Sequence, residues 1–101
     1  MISEHRVVIP ALHPSLPGHF PGHPVAPGVV ILEEVLQAFT TQHPQRTLTG
    51  FPVVKFLAPV LPEQAFTIRF EPTRNGAISF SCVRDDGSVV AQGRLTTAAH
   101  R

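Results

Sequence analysis

Apolar and polar residues alternate with two different periods along the chain. Between residues 28 and 42, apolar side chains recur every three to four positions, which is the period of an amphipathic α-helix. Beyond Pro44 the pattern changes to strand-length runs rich in Val, Ile, Phe and Thr, with clear alternation in residues 66–70 and 78–81. The predicted strands are residues 5–9, 50–60, 64–72, 76–84 and 88–97.

Turn-forming sequences separate the later strands. Gly76 follows Asn75 and Gly87 follows Asp86, an order that is typical of tight antiparallel hairpins. One helix with four or five antiparallel strands predicts an α+β fold, and residues 1–101 are short enough to form a single domain. A domain of this size has little surplus stability, so we expect it to associate with another chain.

The predicted helix carries an unusually broad apolar arc, about 180° wide at ~100° per residue. This breadth predicts a central helix wrapped by a curved sheet. Its two glutamates are predicted to differ, because Glu33 borders the arc, where a carboxylate would be partly desolvated, whereas Glu34 lies on the far side. The predicted arc consists of Val29, Ile31, Leu32, Val35, Leu36, Ala38 and Phe39.

Composition excludes several classes of function. The formal net charge of +1 gives no basic surface for nucleic acid or for an anionic membrane. No apolar run approaches the ~20 residues of a membrane-spanning helix, and the first ten residues do not resemble a secretory signal. Cys82 is the one cysteine and cannot form an intrachain disulfide, which favours a reducing cytoplasm. We interpret it as a small apolar strand residue.

The loop before the predicted helix is rich in proline and glycine, and it carries the candidate chemistry. Proline fixes φ, so such a loop can hold the His19 side chain in one position at little further entropic cost. Pro27 occupies a favoured helix-entry position, which leaves the Gly28 and Val29 amides as candidate donors to an oxyanion. With Glu33 one and a half turns into the helix, these groups predict a proton-transfer site.

Residues 18–33 (GHFPGHPVAPGVVILE) resemble the signature of the FabA/FabZ-type hydroxyacyl-[acyl-carrier-protein] dehydratases. That signature pairs a His-Phe-x-Gly-x-Pro-x-x-Pro-Gly loop with an acidic residue fourteen positions after the histidine, which is the spacing of His19 and Glu33. Gln37 is similar to the family's glutamine one turn further on, and residues 55–62 are more loosely similar to its strand and turn after the helix. The resemblance implies the hotdog fold, a helix wrapped by an antiparallel sheet.

The resemblance also implies a reaction, the loss of water from a (3R)-3-hydroxyacyl chain held on the phosphopantetheine of an acyl carrier protein, with no other cofactor. His19 would be the base that removes the α-proton, and Glu33 the acid that protonates the departing hydroxyl. The thioester oxygen would bind the Gly28 amide, since a weakly acidic α-proton requires oxyanion stabilisation. A carboxyl group that acts as an acid near neutral pH must be buried to stay protonated. The remaining residues implied for the site are Val29 beside the thioester and Gln37, Phe20 and Pro27 in support.

Members of the family place the histidine and the acid of one site on opposite subunits. The resemblance therefore implies a homodimer or larger homo-oligomer, or a heterodimer with a related hotdog subunit. The chain is shorter than a typical FabZ, with less sequence before the loop, and in this it resembles the compact aryl-polyene dehydratases. The acyl chain, the pathway and the cognate carrier protein stay open.

Two other interpretations of the function stay open at this point, and a metal site is a third alternative to weigh. A hotdog thioesterase would use a carboxylate to activate water, although such enzymes do not carry this His-Phe-Pro-Gly loop. A non-catalytic hotdog subunit that binds a carrier protein would be expected to have lost His19 or Glu33. His13, His19 and His23 could be proposed as zinc ligands, but the prolines between them make a shared coordination sphere awkward, so we predict no metal site.

Overall fold

The computed structural model describes residues 3–9, 28–61, 63–74 and 76–99. The elements in chain order are β1 (Ser3–Val7), α1 (Gly28–Gln42), β2 (Arg46–Phe56), β3 (Phe66–Pro72), β4 (Ile78–Arg84) and β5 (Val89–Ala99). The strands form one sheet in the order β1-β3-β4-β5-β2, and every neighbouring pair is antiparallel. Because β1 and β2 lie at opposite edges, α1 connects the two edges of the sheet. Over the described residues, one helix with an antiparallel sheet confirms the predicted α+β hotdog architecture.

The core lies between α1 and one face of the sheet. Alternation along β3 turns Phe66, Ile68 and Phe70 to this face, where all three are buried. The Phe39 ring of α1 lies edge-on to Phe70, with ring centroids 5.6 Å apart. Such aromatic contacts add to the free energy gained by removing apolar area from water. The helix is therefore attached to the sheet through one side only.

The bounds of α1 match the prediction at both ends. At its C-terminus the His43 amide still donates to the Phe39 carbonyl, at 2.8 Å. Pro44 then has no amide hydrogen to donate, and its ring disfavours a further helical turn. The predicted apolar arc is partly wrong, however. Val29 is 61% exposed and Leu36 43% exposed, because the sheet covers one side of the helix and these residues lie on the other. The buried helix residues are Val30, Ile31, Val35, Ala38 and Phe39.

The edge strands differ from prediction in their bounds. β1 spans Ser3–Val7 and β2 spans Arg46–Phe56, so both begin and end earlier in the chain than predicted. β2 ends where the Leu57 and Ala58 amides both donate to the carbonyl of Val90, at 2.9 and 3.3 Å. Because two successive amides share one acceptor, the regular hydrogen bonding between β2 and β5 ends here. Pro59 has no amide hydrogen with which to continue that pattern. Sequence periodicity does not contain this signal, since the acceptor lies on another strand.

The two predicted hairpins are confirmed by the β3–β4 and β4–β5 pairings. In the second, Gly87 has a φ of 90°, and its amide donates to the Arg84 carbonyl at 2.9 Å. The Asp86 carboxylate accepts bonds from the Ser88 hydroxyl, at 2.6 Å, and from the Ser88 amide, at 2.8 Å. These bonds hold the pKa of Asp86 below its usual range. The turn is thus fixed by a glycine conformation and by a local side-chain bond.

Replacing Gly87 with alanine tests the role of this turn. The left-handed conformation strains any residue with a Cβ, so we expect Gly87→Ala to lower the free energy of unfolding by roughly 1–2 kcal/mol. Gly50→Ala is the matched control, because a Cβ there meets its nearest atom, the Thr96 hydroxyl oxygen, at an ordinary 3.5 Å. Urea unfolding should separate the two variants. Equal losses in both would contradict the assignment of strain to Gly87.

Candidate active site at the start of the helix

Four of the predicted site residues lie on α1. Gly28 is its first residue, and the amides of a first helical turn have no acceptor within the helix and lie at its positive end. Glu33 follows five residues later, ~7.5 Å along the axis at ~1.5 Å per residue. Gln37 lies one turn beyond Glu33, where side chains four apart are neighbours. Gly28, Val29, Glu33 and Gln37 therefore lie on a single element.

Glu33 is exposed in the single chain, and Glu34 is the half-buried glutamate. The expectation that Glu33 is partly desolvated within its own chain is therefore wrong. The reason is geometric, because Glu33 lies on the side of α1 that the sheet does not cover. Gln37 is exposed as well, and in the described part of the chain neither the Glu33 nor the Gln37 side chain makes a hydrogen bond.

Apolar side chains surround Glu33 on this open side of the helix. Val29, four residues before it, is 61% exposed, and Leu36, three residues after it, is 43% exposed. Exposed apolar side chains around one polar group are typical of a surface that another molecule covers. We call the exposed residues of this side the Glu33 face: Val29, Glu33, Leu36, Gln37 and Thr40.

A pocket of about 510 Å³ opens beside the first turn of α1. Gly28 and Ile31 form its helical side, and the chain that leaves β2 forms the opposite wall. That wall is apolar, which suits a hydrocarbon rather than a charged ligand. The wall residues are Phe56, Leu57, Ala58, Pro59 and Val60. The predicted site did not include these residues. They fall within residues 55–62, and the resemblance of that segment to the family's strand and turn could have indicated them.

Arg84 fastens this wall to the sheet. Its guanidinium group donates to the Pro59 carbonyl and, at 3.4 Å, to the hydroxyl of Ser88. Its Nε atom is buried without a hydrogen-bond partner in the described structure. Together with the bonds of Leu57 and Ala58 to Val90, these contacts position the pocket wall from β4 and β5.

Three predicted site residues, His19, Phe20 and Pro27, lie outside the described residues, so their roles stay predictions. The histidines weighed as zinc ligands, His13 and His23 among them, lie outside as well. Within the described ranges, no group of three or more His, Cys, Asp or Glu side chains is placed to hold a metal ion. In the same ranges, no helix is long and apolar enough to cross a membrane.

A helix against one face of a five-stranded antiparallel sheet, with an apolar pocket at its first turn, defines a hotdog-fold domain. The family model for ApeI-like proteins, described as "ApeI dehydratase", matches residues 3–94. The chain therefore belongs to the ApeI-like dehydratase family.

Known relatives agree with this membership. The chain is 39% identical over 95 residues to the 3-hydroxyacyl-[acyl-carrier-protein] dehydratase FabZ of Myxococcus xanthus, a match that covers 81% of this chain and 62% of the relative. It is 34% identical over 101 residues to FabZ of Cronobacter sakazakii, covering 87% of this chain and 67% of that one. The chain thus spans slightly less than two thirds of the length of the Myxococcus enzyme.

The fold is similar to that of a solved structure, the dehydratase heterocomplex ApeI:P from Xenorhabdus doucetiae. The TM-score is 0.82 at 20% sequence identity, and the alignment covers 96% of this chain and 87% of the other. At this identity the likeness concerns the fold.

Arg84→Met tests how the pocket wall is held. The substitution keeps an apolar stem and removes the donor to Pro59, so we expect a loss of about 1 kcal/mol in the free energy of unfolding. Arg74→Met, at the exposed β3–β4 turn, is the control and should stay within about 0.5 kcal/mol of wild type. Chemical denaturation measures both. An unchanged stability of Arg84→Met would show that the wall does not depend on this contact.

Proposed function

We propose that the chain dehydrates (3R)-3-hydroxyacyl thioesters carried on an acyl carrier protein, giving the trans-2-enoyl thioester. One observation carries this proposal: Gly28, at the positive end of α1, lines an apolar pocket, and Glu33 lies one and a half turns further along the same helix. A thioester oxygen at the first turn would then leave the acyl chain in the pocket. The sequence match to FabZ enzymes supports the same reaction.

The proposed reaction moves two protons. His19 removes a proton from C2, and the electron pair of that C–H bond shifts towards the thioester carbonyl. The Gly28 amide donates to the carbonyl oxygen as it gains negative charge, with the Val29 amide beside it. The C2–C3 double bond then forms as the C3–oxygen bond breaks, and Glu33 protonates the departing hydroxyl to give water. After the reaction His19 carries the added proton and Glu33 has lost one, and proton exchange with solvent restores the starting states. No further cofactor takes part.

The proposed site requires a second chain. A carboxyl group that donates a proton near neutral pH must be shielded from water, yet Glu33 is exposed in the single chain. Its neighbours Val29 and Leu36 supply apolar surface that another subunit could cover. We therefore propose a homodimer in which each Glu33 face receives the loop that carries His19 from the other chain. A related hotdog subunit is the alternative partner, since the ApeI:P structure is a heterocomplex.

Carrier-protein binding is proposed to use cations on the sheet face away from α1. Lys55 and Arg94 line a groove of about 480 Å³ there and have no anionic partner within the described ranges. Arg69, in the same groove, lies 3.3 Å from the carboxylate of Glu71. Carrier proteins are acidic, so unpaired cations would steer their approach. A location in the cytoplasm is part of the proposal and is supported by Cys82, which is buried as a free thiol.

The decisive test is turnover of 3-hydroxyacyl carrier proteins of graded chain length, followed by the loss of one water in the mass of the product. His19→Ala and Glu33→Gln should each lower the rate by at least ~10²-fold, the usual contribution of a general acid or base. Glu34→Gln is the matched control and should stay within about twofold of wild type, because its side chain lies off the Glu33 face.

Each other outcome contradicts the proposal. Near-normal turnover by folded His19→Ala protein would exclude the mechanism. Hydrolysis of a saturated acyl thioester without dehydration would identify a thioesterase. Binding of the acyl carrier protein without any turnover would identify a non-catalytic subunit.

A further inference from the structure

The Phe56 ring occupies the space where residue 28 would carry a side chain. A Cβ placed on Gly28 would lie 2.8 Å from Cζ, 3.0 Å from Cε2 and 3.2 Å from Cε1 of this ring. The shortest of these separations would force the ring to shift, so the ring packs directly on the Gly28 backbone. The positive-φ glycines of the described chain are Gly76 and Gly87. Glycine at position 28 is therefore explained by the packing of the Phe56 ring and not by the backbone conformation.

The ring is held in place from the sheet. Phe56 is the last residue of β2 and pairs with Ala91 of β5, and the next amide, of Leu57, donates to the Val90 carbonyl at 2.9 Å. The ring is nevertheless 50% exposed, because it packs on Gly28 and also faces the pocket that both residues line. An aromatic side chain between a helix start and an open pocket is part of the pocket wall.

The position of this wall relative to the substrate follows from the proposed function, on which the inference rests. If the Gly28 amide binds the thioester oxygen, the atoms bonded to the carbonyl carbon lie within a few ångströms of Gly28. The Phe56 ring lies there too, so the α-carbon would be nearer to the ring than the distal end of the acyl chain. We propose that Phe56 is a specificity-determining residue, whose ring admits acyl chains that are unbranched at C2 and excludes those with a C2 methyl group.

The test compares two substrates, an unbranched 3-hydroxyacyl pantetheine thioester and its 2-methyl analogue, in the full-length protein. Phe56→Leu should raise the ratio of kcat/KM for the branched over the unbranched substrate by about 10-fold or more, the usual effect of room for one methyl group. Phe56→Met is a second variant with a similar expected direction. Thr47→Val is the matched control, since Thr47 is an exposed residue of the same strand and lines neither the pocket nor the groove, and its ratio should be unchanged.

A double-mutant cycle tests the contact itself. In Gly28→Ala the new Cβ would push the ring into the pocket, so kcat/KM for the unbranched substrate should fall by about 10-fold or more. In the Phe56→Leu background the same substitution should cost less than about threefold. Thermal unfolding without substrate is an independent readout, and Gly28→Ala should lower Tm by several degrees more in wild type than in Phe56→Leu.

The outcomes separate this inference from the function on which it rests. If wild type dehydrates the unbranched substrate but Phe56→Leu and Phe56→Met leave the ratio unchanged, the specificity role is wrong and the proposed function stands. The specificity role would also be wrong if Gly28→Ala and Phe56→Leu were coupled in Tm but had additive effects on kcat/KM. The contact would then contribute to packing and not to substrate selection. If wild type dehydrates neither substrate, the proposed function itself fails, and the inference fails with it.

Discussion

One helix can be covered on only one side by one sheet, and the rest of this structure depends on that limit. α1 buries Val30, Ile31, Val35, Ala38 and Phe39 against the strands, which leaves the Glu33 face in water. The acid of a dehydration reaction has to be kept from water, since an exposed carboxyl is ionised near neutral pH. In the proposed function, the fold supplies the helix start and the pocket, and a second chain supplies the cover for Glu33. A domain of this size gains stability when a second chain covers its exposed apolar surface, and the proposed site gains a shielded acid in the same way.

The pocket at the helix start is built from distant parts of the chain. Its helical side begins at Gly28, and its wall is the segment that follows β2. Hydrogen bonds to Val90 and Arg84 hold this segment in place. Phe56 joins the two, because its ring lies against Gly28. A change at any of these positions would thus alter the distance between the helix start and the wall. In the proposed function, substrate shape and fold stability would therefore be coupled through packing rather than through charge.

The sequence predicted the features whose causes are local. Helical periodicity and Pro44 located both ends of α1, and glycine after Asn or Asp located the hairpins. Features that depend on distant partners were missed. The end of β2 depends on the Val90 carbonyl, and the contact of Phe56 with Gly28 joins two elements. The exposure of Val29 and Leu36 was also missed, because periodicity shows that an arc is apolar but not which part of it the sheet covers. For the candidate site, the sequence motif identified the residues on the helix, whereas the residues that surround them could be identified only from the tertiary structure.

The central claim is that each active site takes His19 from one chain and Glu33 from the other. Inactive His19→Ala and inactive Glu33→Gln proteins should be mixed equally under conditions that exchange subunits, with native mass spectrometry to verify that mixed dimers form. Half of the dimers would then be mixed, each with one intact pair in two sites, so about a quarter of wild-type dehydration should return. If mixed dimers form and no activity returns, each chain carries its own pair, and the account of a shared site is wrong.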